Sequence, residues 1–299
     1  MEKEIIEIIE ENGPLTGSEL SSFSSTDSLL LLRSCRLSDQ LTVKIMGNRY
    51  LRLDKRIDGY ARLSPSILRE FLTYSVVGLS RDRESLQLKA IEIKDRIEKI
   101  SRSKCDLAYN IMSSVMSRME YGSNEYVTFI IAGDIVFNMA HDIPRPERST
   151  GKLVKGSDMD IVVIVKDEIP GHLMTRLDEE IFKEKYRLLI NPYDREEIDY
   201  IVKNISRVRE QIDFDSFKKM VACKILHEGT FLYGNEELFH TVKQMLIRGG
   251  IRGKIEKMEK RAKDFRRKAE EYLLGDDPQK AMEENMFLFF PTEESEEFE

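Results

Sequence analysis

Apolar residues along residues 2–11 fall at Ile5, Ile6, Ile8 and Ile9, the spacing of one helical face, and "NGP" ends the run. "TGSELSSF" predicts a second short helix capped by Thr16 or Ser18, and "STDSLLLLRSCR" a third capped by Thr26 or Asp27. "LTVKIMGNRYLRLDK" then holds two strand-like runs around Met46, Gly47 and Asn48, which predicts a tight hairpin. "DGYARLSPSILREFLTYSVVG" continues with mixed helical character, with Pro65 in a first helical turn. From Arg81 to Glu120 the pattern is helical, with Leu86, Ile93, Ile97 and Ile100 on one face and "SRSK" at 101–104 marking a break.

Residues 125–202 alternate strand and helix patterns. "EYVTFIIAG" reads as a strand, "DIVFNMA" as the start of a helix, and "HDIPRPERSTGKLVKGS" as a loop. "DMDIVVIV" reads as a second strand, "HLMTRLDEEIFKEKYRLLI" as a helix, and "EIDYIV" as a third strand. After Asp213 the chain reads as helical. The mixture argues for an α+β fold with a mixed sheet. The segments expected are 1–78, 79–121 as a helical connector, 122–240 as the mixed core, and 241–299 as a basic helix and acidic tail. Between Lys243 and Lys268 lysines and arginines outnumber acids 11 to 3, whereas the last 24 residues hold nine acids and one lysine.

Composition narrows the function. The net charge is −7, so nucleic-acid binding would need a local patch. Three dispersed cysteines form no metal-type pair or disulfide framework, which suits a reducing, cytoplasmic setting, and four histidines make a histidine-built metal site a poor fit. The N-terminus is acidic and amphipathic, unlike a signal peptide, and no apolar run approaches the roughly 20 residues that span a bilayer.

Candidate chemistry sits in "KGSDMDIVVIVK", residues 155–166. Asp158 and Asp160 are two apart, so in a strand they share a face, and two neighbouring carboxylates repel. Asp199 interrupts the apolar run of "EIDYIV", with Glu197 on the same face as its substitute. If the two strands are neighbours, three carboxylates converge. A divalent cation can neutralise such a cluster, and Mg²⁺ or Mn²⁺ suits an all-oxygen set. The bland alternatives are a solvated strand end and an edge-strand charge.

The ordered set resembles the nucleotidyltransferase superfamily related to DNA polymerase β: a glycine turn, an Asp-x-Asp strand preceded by Ser157, and a third strand carboxylate at Asp199. "EGTFLYG" at 228–234 matches an ending found in many small members, so the likeness covers roughly residues 104–240. The resemblance implies a nucleotidyltransferase core, with Asp158, Asp160 and Asp199 as metal ligands and catalytic residues. It also implies nucleotide phosphates beside Gly133, Asp134, Gly156 and Ser157. One position departs: Gly133 is followed by Asp134 where that family has serine. Arg145, Arg148, Lys152 and Lys155 are then candidates to offset the lost hydroxyl. Three helices followed by a hairpin also resemble a winged helix-turn-helix, which implies Lys44, Arg49 and Arg52 on phosphates, against a packing or dimerisation module.

The activity expected is Mg²⁺-dependent transfer of a nucleoside monophosphate from a nucleoside triphosphate to a hydroxyl acceptor such as RNA or protein. Nucleic acid would meet the winged-helix segment and the basic helix 243–268. The alternatives are a non-catalytic, nucleotide-sensing DNA-binding regulator and a toxin- or antitoxin-type transferase acting on a partner macromolecule.

Overall fold

The computed structural model describes residues 1–120, 122–147 and 150–275; Arg148 and the acidic stretch 276–299 lie outside the described residues. The architecture is mixed α+β, and the described residues fall in two compact units: 1–96 with 257–275, and Ile97–Glu256.

In the first unit, α1 (Glu2–Asn12) buries Ile5 and Ile9 and ends at Gly13, whose φ is 77°. Strand β1 (Leu15–Thr16) runs into α2 (Gly17–Phe23). Thr16 Oγ1 accepts from Glu19 N while the Glu19 carboxylate accepts from Thr16 N, so two end donors are satisfied reciprocally. Asp27 caps α3 (Ser28–Leu37), and Leu29, Leu31 and Leu32 are buried. Strands β2 (Leu41–Ile45), β3 (Tyr50–Leu53) and β4 (Ala61–Ser64), helix α4 (Ile67–Tyr74) and β5 (Ser75–Leu79) follow.

The expected β2–β3 hairpin does not form. β2 pairs with β5 in an antiparallel sheet of order β1-β5-β2, and β3 pairs with β4. Met46 N donates to Tyr74 O, so the β2–β5 ladder runs on as far as the residue before the Gly-Asn pair. Neither Gly47 nor Asn48 takes the positive φ that a two-residue hairpin turn needs. Pro65 lies before the Ser66 cap of α4 rather than in its first turn, and residues 61–64 and 75–79 are strands.

Helix α5 (Arg83–Ser117) runs unbroken through 101–104, and its residues from Ile97 belong to the second unit. Two of the polar residues read as a breaker, Ser101 and Lys104, are buried partners. Ser101 Oγ accepts from Ala140 N at 3.0 Å, and Lys104 Nζ donates to Lys155 O at 2.8 Å.

The second unit continues with β6 (Val127–Ala132), a 3₁₀ turn over Gly133–Phe137, β7 (Pro144–Pro146) and β8 (Leu153–Lys155). Then come β9 (Met159–Val165), α6 (Gly171–Ile190), β10 (Ile198–Asn204), α7 (Ile205–Gln211) and α8 (Phe217–Glu228). Strand β11 (Thr230–Gly234), α9 (Glu236–Arg248) and α10 (Ile251–Leu274) follow. The sheet order is β10-β9-β6-β11, with β9 and β10 parallel and the other pairs antiparallel. β9 is central and reads as a continuous apolar run because both of its faces are covered: Ile161 through Val165 are fully buried. The "DIVF" segment is a five-residue 3₁₀ turn rather than a helix start, the 141–157 loop contains the β7–β8 ladder, and "TFLYG" is an edge strand.

The basic run 243–268 is not one helix. It breaks at Gly249–Gly250 between α9 and α10. Lys243 donates to the carbonyls of Leu226 and His227, the last turn of α8, and Arg266 is buried against Pro65 O and Glu70. Among the described residues no helix is long and apolar enough to cross a membrane.

Lys203, on β10, gives a pH-dependent prediction. It is buried, donates to Gln211 Oε1 at 3.2 Å, and burial pulls its pKa down to about 8 from 10.5. Between those values the unfolded chain holds the proton that the folded chain has lost, so stability rises with pH across about 8 to 10.5. The whole contribution is on the order of 3 kcal/mol. Urea unfolding at pH 7.5 and 9.5 should show a smaller rise for Lys203→Met than for the wild type. Equal rises in the two proteins would show that the lysine stays charged.

Candidate metal centre

Parallel pairing sets Asp199 opposite Asp160, and Asp158 immediately precedes β9 on the same face as Asp160. One carboxylate oxygen from each of Asp158, Asp160 and Asp199 lies within 4.8 Å of the others. The structure thus brings together the three carboxylates singled out from the sequence. All three donors are hard oxygens, a set that fits Mg²⁺ or Mn²⁺.

Glu197, two residues before Asp199, approaches the same place. Its Oε2 lies 2.8 Å from Arg145 Nη2, and the same nitrogen is 3.5 Å from Asp158 Oδ2. Burial holds the Glu197 carboxyl above the usual range, opposed by the Arg145 charge and reinforced by Glu147 and Asp199. Arg145 reaches this position from β7 because its Nε donates to Gly156 O at 2.7 Å. On the far side, Lys185 Nζ of α6 stands 3.4 Å from Asp199 Oδ1. Among the described residues, Asp158, Asp160, Glu197 and Asp199 lie close together with Arg145 and Lys185 beside them, a concentration of carboxylates that a divalent ion would help to offset.

The glycine turn explains how close the groups come. Gly133 has φ 70°, and a Cβ there would lie 1.9 Å from Asp160 Oδ2. Asp134 does not cap the following turn. It is buried and accepts from Ser157 Oγ at 2.7 Å, while Ser157 Oγ accepts from His141 N at 3.2 Å. Gly156 also has positive φ and packs against the backbone of His141, where a Cβ would fall 1.8 Å from the carbonyl oxygen. Gly133 touches the carboxylate cluster directly, whereas Asp134, Gly156 and Ser157 form a bonded support behind it. Lys155 Nζ is taken by Tyr193 O, and Lys152 is exposed.

Arg145 was legible as a basic loop residue but not as a partner of Glu197. Lys185 carried no signal, since nothing in one-dimensional spacing ties a helix position to a strand 14 residues later.

Gly133→Ala is expected to displace the Asp160 carboxylate and to add about 1–2 kcal/mol of backbone strain. Mn²⁺ affinity, followed by calorimetry, should fall at least about tenfold, which corresponds to roughly 1.4 kcal/mol. Wild-type Mn²⁺ affinity in this variant would remove Asp160 from the ligand set.

No protein-family model matches the chain, and a search of curated proteins finds no match either.

Proposed function

We propose that the chain is a divalent-metal-dependent nucleotidyltransferase. The observation that carries the reading is the convergence of Asp158, Asp160 and Asp199 on two parallel strands, with Gly133 against Asp160. A hydroxyl oxygen of the acceptor attacks the α-phosphorus of a nucleoside triphosphate, and the bond to pyrophosphate breaks. Asp158, Asp160 and Asp199 would hold Mg²⁺, which would supply charge stabilisation to the attacking and leaving oxygens. Asp199 receives the hydroxyl proton, and Lys185 orients that carboxylate. Arg145 balances Asp158 and Glu197. The glycine turn gives room for a close approach to Asp160.

Three helices, with β1 between the first two, and an antiparallel sheet of order β1-β5-β2 support a winged-helix reading of the first unit. Phosphate contact there draws no support from Arg49 or Arg52. Arg49 is bound to Glu70 and Glu270, and Arg52 is buried.

The second reading is a regulator that senses a nucleotide without transferring it. One observation favours it: a buried carboxylate, Asp134, stands where the resembled family has a hydroxyl that meets the triphosphate. A single experiment separates the two. The protein is incubated with Mg²⁺ and each α-labelled nucleoside triphosphate, with and without bulk RNA. Labelled acceptor with pyrophosphate release supports transfer; saturable binding without labelled product supports the sensor. A transferase acting on a partner protein would show label only when a cell extract replaces the RNA.

A further inference from the structure

We propose that Arg145 stands in the place of a second divalent ion, so that the centre binds one metal ion and the guanidinium is its built-in second cation. The inference rests on the metal-dependent reading above and says how many ions that reading uses.

The carboxylates form two rungs across β9 and β10. Asp160 and Asp199 are register partners in the parallel pair, as are Met159 and Ile198. Met159 N donates to Glu197 O at 2.9 Å, so the same ladder sets Glu197 beside Asp158, one step before the strands begin. Residues two apart share a face of a strand, so the second rung, Asp158 with Glu197, rises from the same side of the sheet as the first. Arg145 Nη2 touches both members of that rung, which agrees with this placement. Neighbouring strands are about 4.8 Å apart and two residues of strand span roughly 7 Å. Two cations at about the 3.5–4 Å separation of two-metal sites would fit within those dimensions.

The two rungs are not alike. At the Asp160–Asp199 rung, Asp158 joins in, and one oxygen from each of the three lies within 4.8 Å of the others. The Asp158–Glu197 rung already holds a cation. Arg145 Nη2 lies 2.8 Å from Glu197 Oε2 and 3.5 Å from Asp158 Oδ2. Glu197 Oε2 is buried, and its contact with Arg145 is an ion pair rather than an aligned hydrogen bond. The guanidinium therefore acts on this rung as a metal ion would, through charge at short range.

Arg145 is fixed in that position from behind. It lies between Pro144 and Pro146 on β7, where each proline ring sets its own φ, and it is paired in register with Val154 of β8. Its Nε donates to Gly156 O at 2.7 Å, which aims the rest of the guanidinium at the rung. An arginine stays charged at every pH at which the protein is folded, and its fork of donors suits carboxylate and phosphate oxygens alike. A divalent ion entering the same rung would meet that charge at close range and be repelled. The second position is thus closed to metal while Arg145 is present. The centre keeps a positive charge there without recruiting an ion from solution.

The test is calorimetry of the full chain with Mn²⁺ in the absence of triphosphate, read together with electron paramagnetic resonance of the bound ion. The wild type should bind one Mn²⁺ with the resolved hyperfine signal of an isolated ion. Arg145→Ala should bind two, and the signal should broaden as neighbouring ions couple. Adding Glu197→Gln to Arg145→Ala should return the count to one. The coupled signal separates a second ion in the centre from weak binding elsewhere on a chain with 54 acidic residues. Should Arg145→Ala fail to fold, Arg145→Gln carries the same expectation, because it keeps part of the stem and a donor for Gly156 O. Two coupled ions in the wild type would overturn the inference. So would a single ion, or a second but uncoupled one, in the variant that lacks the guanidinium. Those results leave the metal-dependent reading standing. A wild type that binds no Mn²⁺ would overturn both.

Discussion

Replacing Asp158 and Asp160 together by asparagine is expected to end nucleotide transfer and Mg²⁺ binding while the protein stays folded and gains stability in the absence of metal. Both residues offer an oxygen to the point where Asp199 meets them. Asparagine keeps the size and one oxygen of each side chain but removes two of the charges that hold a divalent ion. A loss of three orders of magnitude in rate, about 4 kcal/mol, is the scale expected when charge stabilisation of this kind disappears. The gain in metal-free stability should be on the order of 1 kcal/mol, because like charges within 4.8 Å of one another are relieved. Arg145 is not stranded by the change, since Glu197 remains 2.8 Å away. Transfer of labelled nucleotide, Mn²⁺ calorimetry and urea unfolding without metal check the three parts. A double variant that no longer unfolds cooperatively would make the pair structural, and retained transfer would place the chemistry elsewhere.

The carboxylates were legible because their signal is local. Two aspartates with an i, i+2 spacing ahead of "IVVIV" state which face they share, and Asp199 interrupts an apolar strand that needs no charge for packing. The caps at Thr16 and Asp27 were legible for the same reason, since a side chain that satisfies donors two or three residues on leaves its mark in the sequence. Pairing partners were not. β2 finds β5 more than 30 residues later, and "SVVGL" follows the amphipathic α4 with no breaker between them, so a strand hid inside a helical pattern. The support of the metal centre was hidden too. Arg145 and Lys185 reach the carboxylates through tertiary placement, from a short β-ladder and from a helix. Asp134 was legible only as a departure from a serine; its bond to Ser157, 23 residues on, was not.

The largest loss of stability is expected from Glu70→Ala, in the first unit. Glu70 is 4% exposed and stands between two arginines: Arg49 donates through Nε and Nη2 at 2.6 and 2.7 Å, and Arg266 Nη2 donates at 2.8 Å. Arg266 is itself 4% exposed, with Pro65 O and Glu270 as its other partners. Removing the central carboxylate leaves a buried guanidinium, and among the described residues Glu270 alone then pairs with both arginines. Stranding one member of such a buried network costs about 3–5 kcal/mol, far more than loss of an exposed ion pair. Glu70 lies in the first of two units, so a readout confined to that unit is the sharper one. Hydrogen exchange of the α4 amides in increasing urea reads the first unit alone, and their protection should collapse at markedly lower urea in Glu70→Ala. Glu70→Leu combined with Arg266→Met should recover much of the loss, since an apolar pair of similar volume needs no counter-ion. The same measurement bears on what the first unit can bind. If protection falls by less than about 1 kcal/mol, the value for an exposed pair, then Glu70 does not anchor Arg49, and that arginine returns as a candidate for phosphate contact.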